Sequence, residues 1–166
     1  MQEYTFIPNL GLEALEFWKE ADILRKDNKM DQVLAYMYLM FKKMVDNNRS
    51  LKRQYLNDMG KNIELFPGVE EWFIRINEYG KEHGMEIEHY IISSGLKEII
   101  EGTSIGKYFK EIYASEFYYN EDGNAVWPRI AVNYTNKTQF LSRINKGVLD
   151  ISDDASLNKK MFDNDR

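Results

Sequence analysis

Six residues, Ile87-Glu88-His89-Tyr90-Ile91-Ile92, become more apolar toward their end and run straight into Ser93-Ser94-Gly95. That pattern predicts a strand over 87–92 that is buried on both faces toward its C-terminal end. Such strands belong to parallel sheets covered by helices, so this feature points the chain toward an α/β architecture. The flanking segments agree. Pro67 suits the first turn of a helix in which Val69, Trp72, Phe73, Ile76 and Tyr79 form one stripe, closed by Gly80 and Gly84. After the Ser-Ser-Gly turn, Leu96, Ile99, Ile100 and Ile105 continue as a helix. A second strand is expected over Lys110–Glu116. A strand, a helix and a strand in this order imply a parallel pair joined by a crossover.

Farther on, Phe117-Tyr118-Tyr119 and Ala125-Val126-Trp127 flank a loop containing Asp122-Gly123, a strong hairpin signal. A last helix is expected from Thr135 or Asn136 through Phe140, Leu141 and Ile144, and the tail from Asp150 is polar. Residues 1–62 read as helical. Asp31 looks like the N-cap of a helix over Gln32–Val45, and Ser50 like the cap of a third helix that Gly60 stops. The division expected is a helical lobe at 1–62, an α/β core at 63–147 and a polar tail at 148–166.

Composition narrows the function classes. The net charge is −5, with 27 acidic residues against 22 basic ones interleaved with them, which argues against nucleic acid as a partner. No run approaches the ~18 apolar residues that span a bilayer, and the N-terminus lacks a secretory pattern. No membrane partner is expected. There are no cysteines, hence no disulfide framework or thiolate metal site. A cytoplasmic location follows as the default. The two histidines, His83 and His89, read as a surface and a strand residue rather than metal ligands. Asp22, Asp27 and Asp31 read as solvated or capping, and Asp150, Asp153 and Asp154 as a solvated loop.

The chemistry concentrates at Ser93, Ser94 and Gly95. A hydroxyl at a strand tip and the amides opening the next helix converge on one anion-sized spot, where the helix dipole favours negative charge. Lys137, at the start of the last helix, either supplies a compact positive charge for a phosphate at the same strand ends or is a solvated surface lysine.

Taken in order, the Phe66-Pro67-Gly68-Val69 helix start, the Tyr90-to-Gly95 strand end, the Ile112-to-Trp127 strand and hairpin, and the Lys137 helix resemble the haloacid dehalogenase (HAD) superfamily. The branch is the phosphoserine-phosphatase-like one, and the resembling span is roughly 60–147. The resemblance implies a partial Rossmann-like core, with residues 1–62 as its helical cap. It also implies that Ser93 binds the transferring phosphoryl group and that Lys137 contacts the same phosphate. In that family an Asp of a D-x-D-x-T strand is the nucleophile, a second Asp is the general acid and base, and a fourth motif holds Mg²⁺. No segment here matches either acidic motif. A phosphatase homologue with a phosphate half-site, truncated or degenerate and inactive alone, is therefore expected, with no catalytic residue, no metal ligand and no cofactor as it stands. Mg²⁺ enters only if the acidic motifs come from elsewhere.

In that sheet order the Ile87–Ile92 strand has an open, apolar edge, a hazard unless covered. The Tyr4-Thr5-Phe6-Ile7 run, a second copy of the chain or a partner protein is expected to pair there. Two further readings follow: a repurposed protein-binding or inhibitory module, and one part of a Mg²⁺-dependent phosphomonoesterase.

Overall fold

In the structure, a computed structural model describing residues 3 and 5–160, a helical lobe leads into a small sheet. The lobe holds α1 (Phe6–Asn9), α2 (Ala14–Asn28), α3 (Gln32–Asp46) and α4 (Arg53–Gly60). Then come α5 (Val69–Glu82), β1 (Tyr90–Leu96), α6 (Lys97–Gly102) and a 3-10 turn at Gly106–Tyr108. The chain continues through β2 (Glu111–Tyr119), β3 (Ala125–Ile130), α7 (Lys137–Lys146) and α8 (Asp154–Lys159). No helix among the described residues is long and apolar enough to cross a membrane.

The sheet order is β1-β2-β3. β1 and β2 are parallel, with Tyr90 opposite Glu111 and Ile92 opposite Tyr113, and α6 forms the crossover. β2 and β3 are antiparallel, and Gly123 takes the left-handed turn position between them at φ 74°. The expected α/β class, parallel pair and hairpin are thus present. The two faces are covered separately. Ile91 packs with Ile100, Ile112 and Ala114 toward α6, whereas Tyr90 and Ile92 pack with Tyr113, Val132 and Phe140 toward α7.

The lobe is Met-rich because unbranched side chains fill the irregular space between short helices. Phe6, Phe17, Met37, Met40 and Leu56 are buried in one cluster, and Leu96, Ile99, Phe117 and Ala125 from beyond residue 62 belong to it too. Lobe and sheet therefore share a core. The hairpin tip is tied to the same lobe: the Arg53 amide donates to Gly123 O at 3.0 Å and the Ala125 amide to Leu51 O at 2.7 Å.

Several expectations need correction. The first strand spans Tyr90–Leu96, not 87–92, because the ladder to β2 begins with Tyr90 opposite Glu111, preceded by the Lys110 amide donating to His89 O at 2.8 Å. Ile87 instead packs against Gly80, where an added Cβ would sit 2.6 Å from its side chain. The helix after the turn stops at Gly102, so Ile105 lies outside it. Ser50 is not a cap, since α4 starts after Lys52. Phe6 and Ile7 are helical and fully buried in the lobe, so they do not pair with β1; Tyr4 lies outside the described residues. On α5, Phe73 is buried but Trp72 and Tyr79 are exposed, and Leu141 of α7 is exposed as well. Asp31 does cap α3, accepting from the amides of Val33 and Leu34 at 2.9 and 3.1 Å.

Candidate functional site

Ser93, Ser94 and Gly95 are the last turn of β1 rather than a loop after it, and the ladder to β2 shifts register between Ser93 and Leu96. The irregularity is held locally. The Gly95 amide donates to Ser93 Oγ at 3.0 Å, and the Tyr36 hydroxyl of α3 donates to Ser94 O at 2.6 Å. Ser115 Oγ of β2 also reaches Ser94 O, at 3.4 Å. These bonds occupy the carbonyl that a regular ladder would use.

The two serines open onto different spaces. Ser93 lines a groove of about 710 Å³ beside β1, walled by residues 62–66 and by Ile91, Ile100 and Thr103. Ser94 and Gly95 line a cleft of about 510 Å³ whose opposite wall is Asn133, Tyr134 and Thr135. Alternation along a strand accounts for this: Ile91 and Ile92 already point to opposite faces, and the serines continue the pattern.

The wall at 133–136 is a self-bonded knot. Asn133 Oδ1 accepts from the amides of Thr135 and Asn136 and from the Thr135 hydroxyl, at 2.9, 3.1 and 2.7 Å. Asn136 returns its side chain to the Asn133 amide and to Ala131 O. The knot is pinned to the lobe by Asn133 Nδ2 donating to Asp31 Oδ2 at 2.8 Å. It ends at Asn136, the N-cap position of α7, so Lys137 is the first helical residue, half-buried. α7 lies against β1. The structure thus brings Ser94, Gly95 and the approach to Lys137 around one cleft. Ser93 faces the neighbouring groove, and Lys137 lines neither space.

A smaller cavity of about 300 Å³ lies under β2 and β3, but four of its charged residues pair with one another. Lys97 meets Glu111 at 3.1 Å, and Arg129 Nη1 meets both oxygens of the buried Glu116 at 3.1 Å. Among the described residues no three His, Asp or Glu side chains gather in a way that could hold a metal ion. His89 rests on Phe73 with ring centroids 4.9 Å apart and bonds Asn77 at 2.9 Å, and His83 lies against Tyr79.

One titratable group was not legible in the sequence. Glu98, in the first turn of α6, is fully buried. The Tyr119 hydroxyl donates to its Oε1 at 2.5 Å, the Phe117 amide donates to the same oxygen at 3.4 Å, and Oε2 has no hydrogen-bond partner. Burial pushes the Glu98 carboxyl up from the usual range, only partly offset by the Tyr119 hydroxyl. Burial and the adjacent carboxyl raise the Tyr119 hydroxyl in turn. Its neighbours Ile99 and Ile100 mark this stretch as core, which makes a carboxylate here a poor fit by pattern alone.

No protein-family model matches the chain. A protein of Borreliella burgdorferi (strain B31), described only as an uncharacterized protein, is 28% identical over 171 residues, covering 89% of this chain. The chain spans 60% of that relative's length.

Proposed function

We propose that the chain carries the phosphate-gripping half of a HAD-type phosphatase site and binds phosphate or a phosphorylated small molecule without hydrolysing it alone. The observation that carries this is the shared cleft. Ser94 and Gly95, at the C-terminal end of a parallel strand, face the loop that delivers Lys137 to the first turn of α7. Ligands in α/β sheets sit beyond such strand ends. A hydroxyl and an ammonium can hold a phosphate oxygen, but bond cleavage needs a nucleophile and a proton donor beside them. No carboxylate pair stands there; the one acid of the cleft, Asp31, is committed to capping α3 and holding Asn133.

The test is a titration with inorganic phosphate followed by amide chemical shifts, together with p-nitrophenyl phosphate hydrolysis in Mg²⁺. Shifts at residues 93–97 and 133–138 are expected, weakened by Ser94→Ala and by Lys137→Ala, with no turnover above buffer. Turnover that survives both substitutions, or shifts confined to other surfaces, would overturn the reading.

A second reading is favoured by one separate feature. Among the described residues the outer edge of β1 has no strand partner, and the 710 Å³ groove runs beside it. Such an edge suits an added strand, from a second copy of the chain or from a partner protein.

A further inference from the structure

We propose that the apolar groove between α3 and β3 is a self-pairing surface, on which a second copy of this chain seats its Trp127 ring across a two-fold axis. The groove shares no lining residue with the Ser94-Gly95 cleft or with the groove beside β1.

Side-chain period builds one wall. Leu34, Tyr38, Phe41 and Val45 recur at i, i+4, i+7 and i+11 along α3, which places them on one face of the helix. Phe117, Val126 and Trp127 of the hairpin strands form the other wall. A stripe of this kind belongs in a core, yet Leu34, Tyr38, Val126 and Trp127 are 37, 48, 49 and 73% exposed. The space between the walls is about 260 Å³, below the ~300–1,000 Å³ of sites for small organic ligands. Such sites also carry several convergent polar groups. Here the Tyr38 hydroxyl is the one polar side-chain group among the described lining residues. The groove is therefore suited to a side chain from another protein surface rather than to a metabolite.

Shape, area and charge single out a second copy as the occupant. A two-fold contact uses the same patch on both partners, so that patch must hold a knob and a hole together. Trp127 stands out from the rim as the knob, and the space beside Leu34 and Tyr38 is the hole. The four exposed residues present on the order of 400–500 Å² of surface. One side of a standard interface buries ~800 Å², of which about 56–65% is apolar, so the patch supplies most of that apolar share. The chain carries a net charge of −5, and a copy is repelled except where the facing surfaces are neutral. This patch is neutral. No charged side chain is among the described residues lining it, and Lys42 and Asp46, beside Phe41 and Val45 in the chain, pair with each other. A partner recognised by its charge would find no ion to address.

The experiment is light scattering coupled to gel filtration of the full chain, from nanomolar to high micromolar, on the parent, Trp127→Ala, Tyr38→Glu and Phe66→Ala. Association is expected, with its dissociation constant raised at least ~30-fold by Trp127→Ala, the scale of a central interface aromatic. Tyr38→Glu should abolish the contact, because it buries an unpaired carboxylate from each copy. Both side chains lie at the surface, so circular dichroism and melting of the two variants should match the parent and separate lost association from lost folding. Phe66 is the control: it is 86% exposed and lines the groove beside β1, and Phe66→Ala should leave this pairing intact. A parent that stays monomeric at every concentration overturns the pairing, whether or not a different protein fits the groove. Association unmoved by Trp127→Ala and Tyr38→Glu overturns it as well, and association lost only in Phe66→Ala assigns self-contact to the β1 edge instead.

Discussion

Gly60 and Gly102 meet where α4 crosses α6, so closely that a methyl group on Gly60 would sit 2.1 Å from the Ile99 carbonyl oxygen and 2.8 Å from the Gly102 Cα. The converse is equally tight: a Cβ on Gly102 would lie 1.9 Å from the Asn57 carbonyl oxygen. This backbone contact fixes the lobe against the helix that follows the Ser-Ser-Gly turn. Asn57 Nδ2 adds a hydrogen bond to Glu98 O at 3.3 Å across it.

Gly60→Ala and Gly102→Ala are therefore expected to destabilise the protein by at least ~1–3 kcal/mol each, since the obstructing atoms are backbone and cannot rotate away. For a chain of this size each ~1 kcal/mol lowers the melting temperature by about 2–4 °C. The double variant should lose less than the sum, because the helices need to separate only once. Thermal unfolding followed by circular dichroism measures this; single variants melting with the parent would contradict it.

The buried carboxyl of Glu98 sets a pH dependence. Its pKa in the folded protein is raised, so the neutral form is the one that folding favours. The stability it contributes is full below the unfolded value of ~4.3 and is lost as pH rises through the folded value. Glu98→Gln keeps the Tyr119 acceptor without the charge. Its melting temperature should therefore gain on the parent between pH 4 and pH 8, measured as a difference at each pH. The difference matters because Asp22 and Asp58, held below the usual carboxylate range by Lys26 and Lys61, tilt the parent the other way. Their contributions are lost as pH falls through their folded values. A gap independent of pH would show that Glu98 carries no such burden.

Asp31 does two jobs that two substitutions can separate. Asp31→Ala removes the cap of α3 and the Asn133 link, and a cost of about 1–2 kcal/mol is expected from the cap alone. Asp31→Asn keeps a competent cap, but places an amide donor opposite Asn133 Nδ2, whose own oxygen is already engaged by Thr135 and Asn136. Near-parental melting with faster amide exchange at 133–136 is expected for Asp31→Asn. Unchanged exchange would mean the knot holds itself without the lobe.

The open edge of β1 predicts association. Light scattering at micromolar concentration should report a dimer or larger, with amide exchange slowed along Tyr90–Leu96 relative to the dilute protein. A monomer that exchanges freely there at all concentrations would remove the edge-pairing reading.

Local chemistry made much of the architecture legible. Periodicity placed α3 and its Asp31 cap, the Asp122-Gly123 turn announced the β2–β3 hairpin, and the apolar run before Ser93 announced a parallel strand. These features are set by residues within a few positions of one another, so a linear reading reaches them. The strand limits did not follow, because a strand starts where its partner starts, and Glu111 is 21 positions from Tyr90. Nor did the separation of Ser93 from Ser94, the burial of Glu98 or the Asn133–Asp31 link across 102 positions.

The amino-acid order alone determined α3 with its Asp31 cap, the β2–β3 hairpin and the parallel strand before Ser93, since backbone preference and side-chain period act over one or two turns. Only the tertiary structure decided which groups share a cleft, which carboxylates are already committed and how near two helices come. Those depend on packing between segments far apart in the chain, where close approach is controlled by excluded volume rather than by sequence spacing.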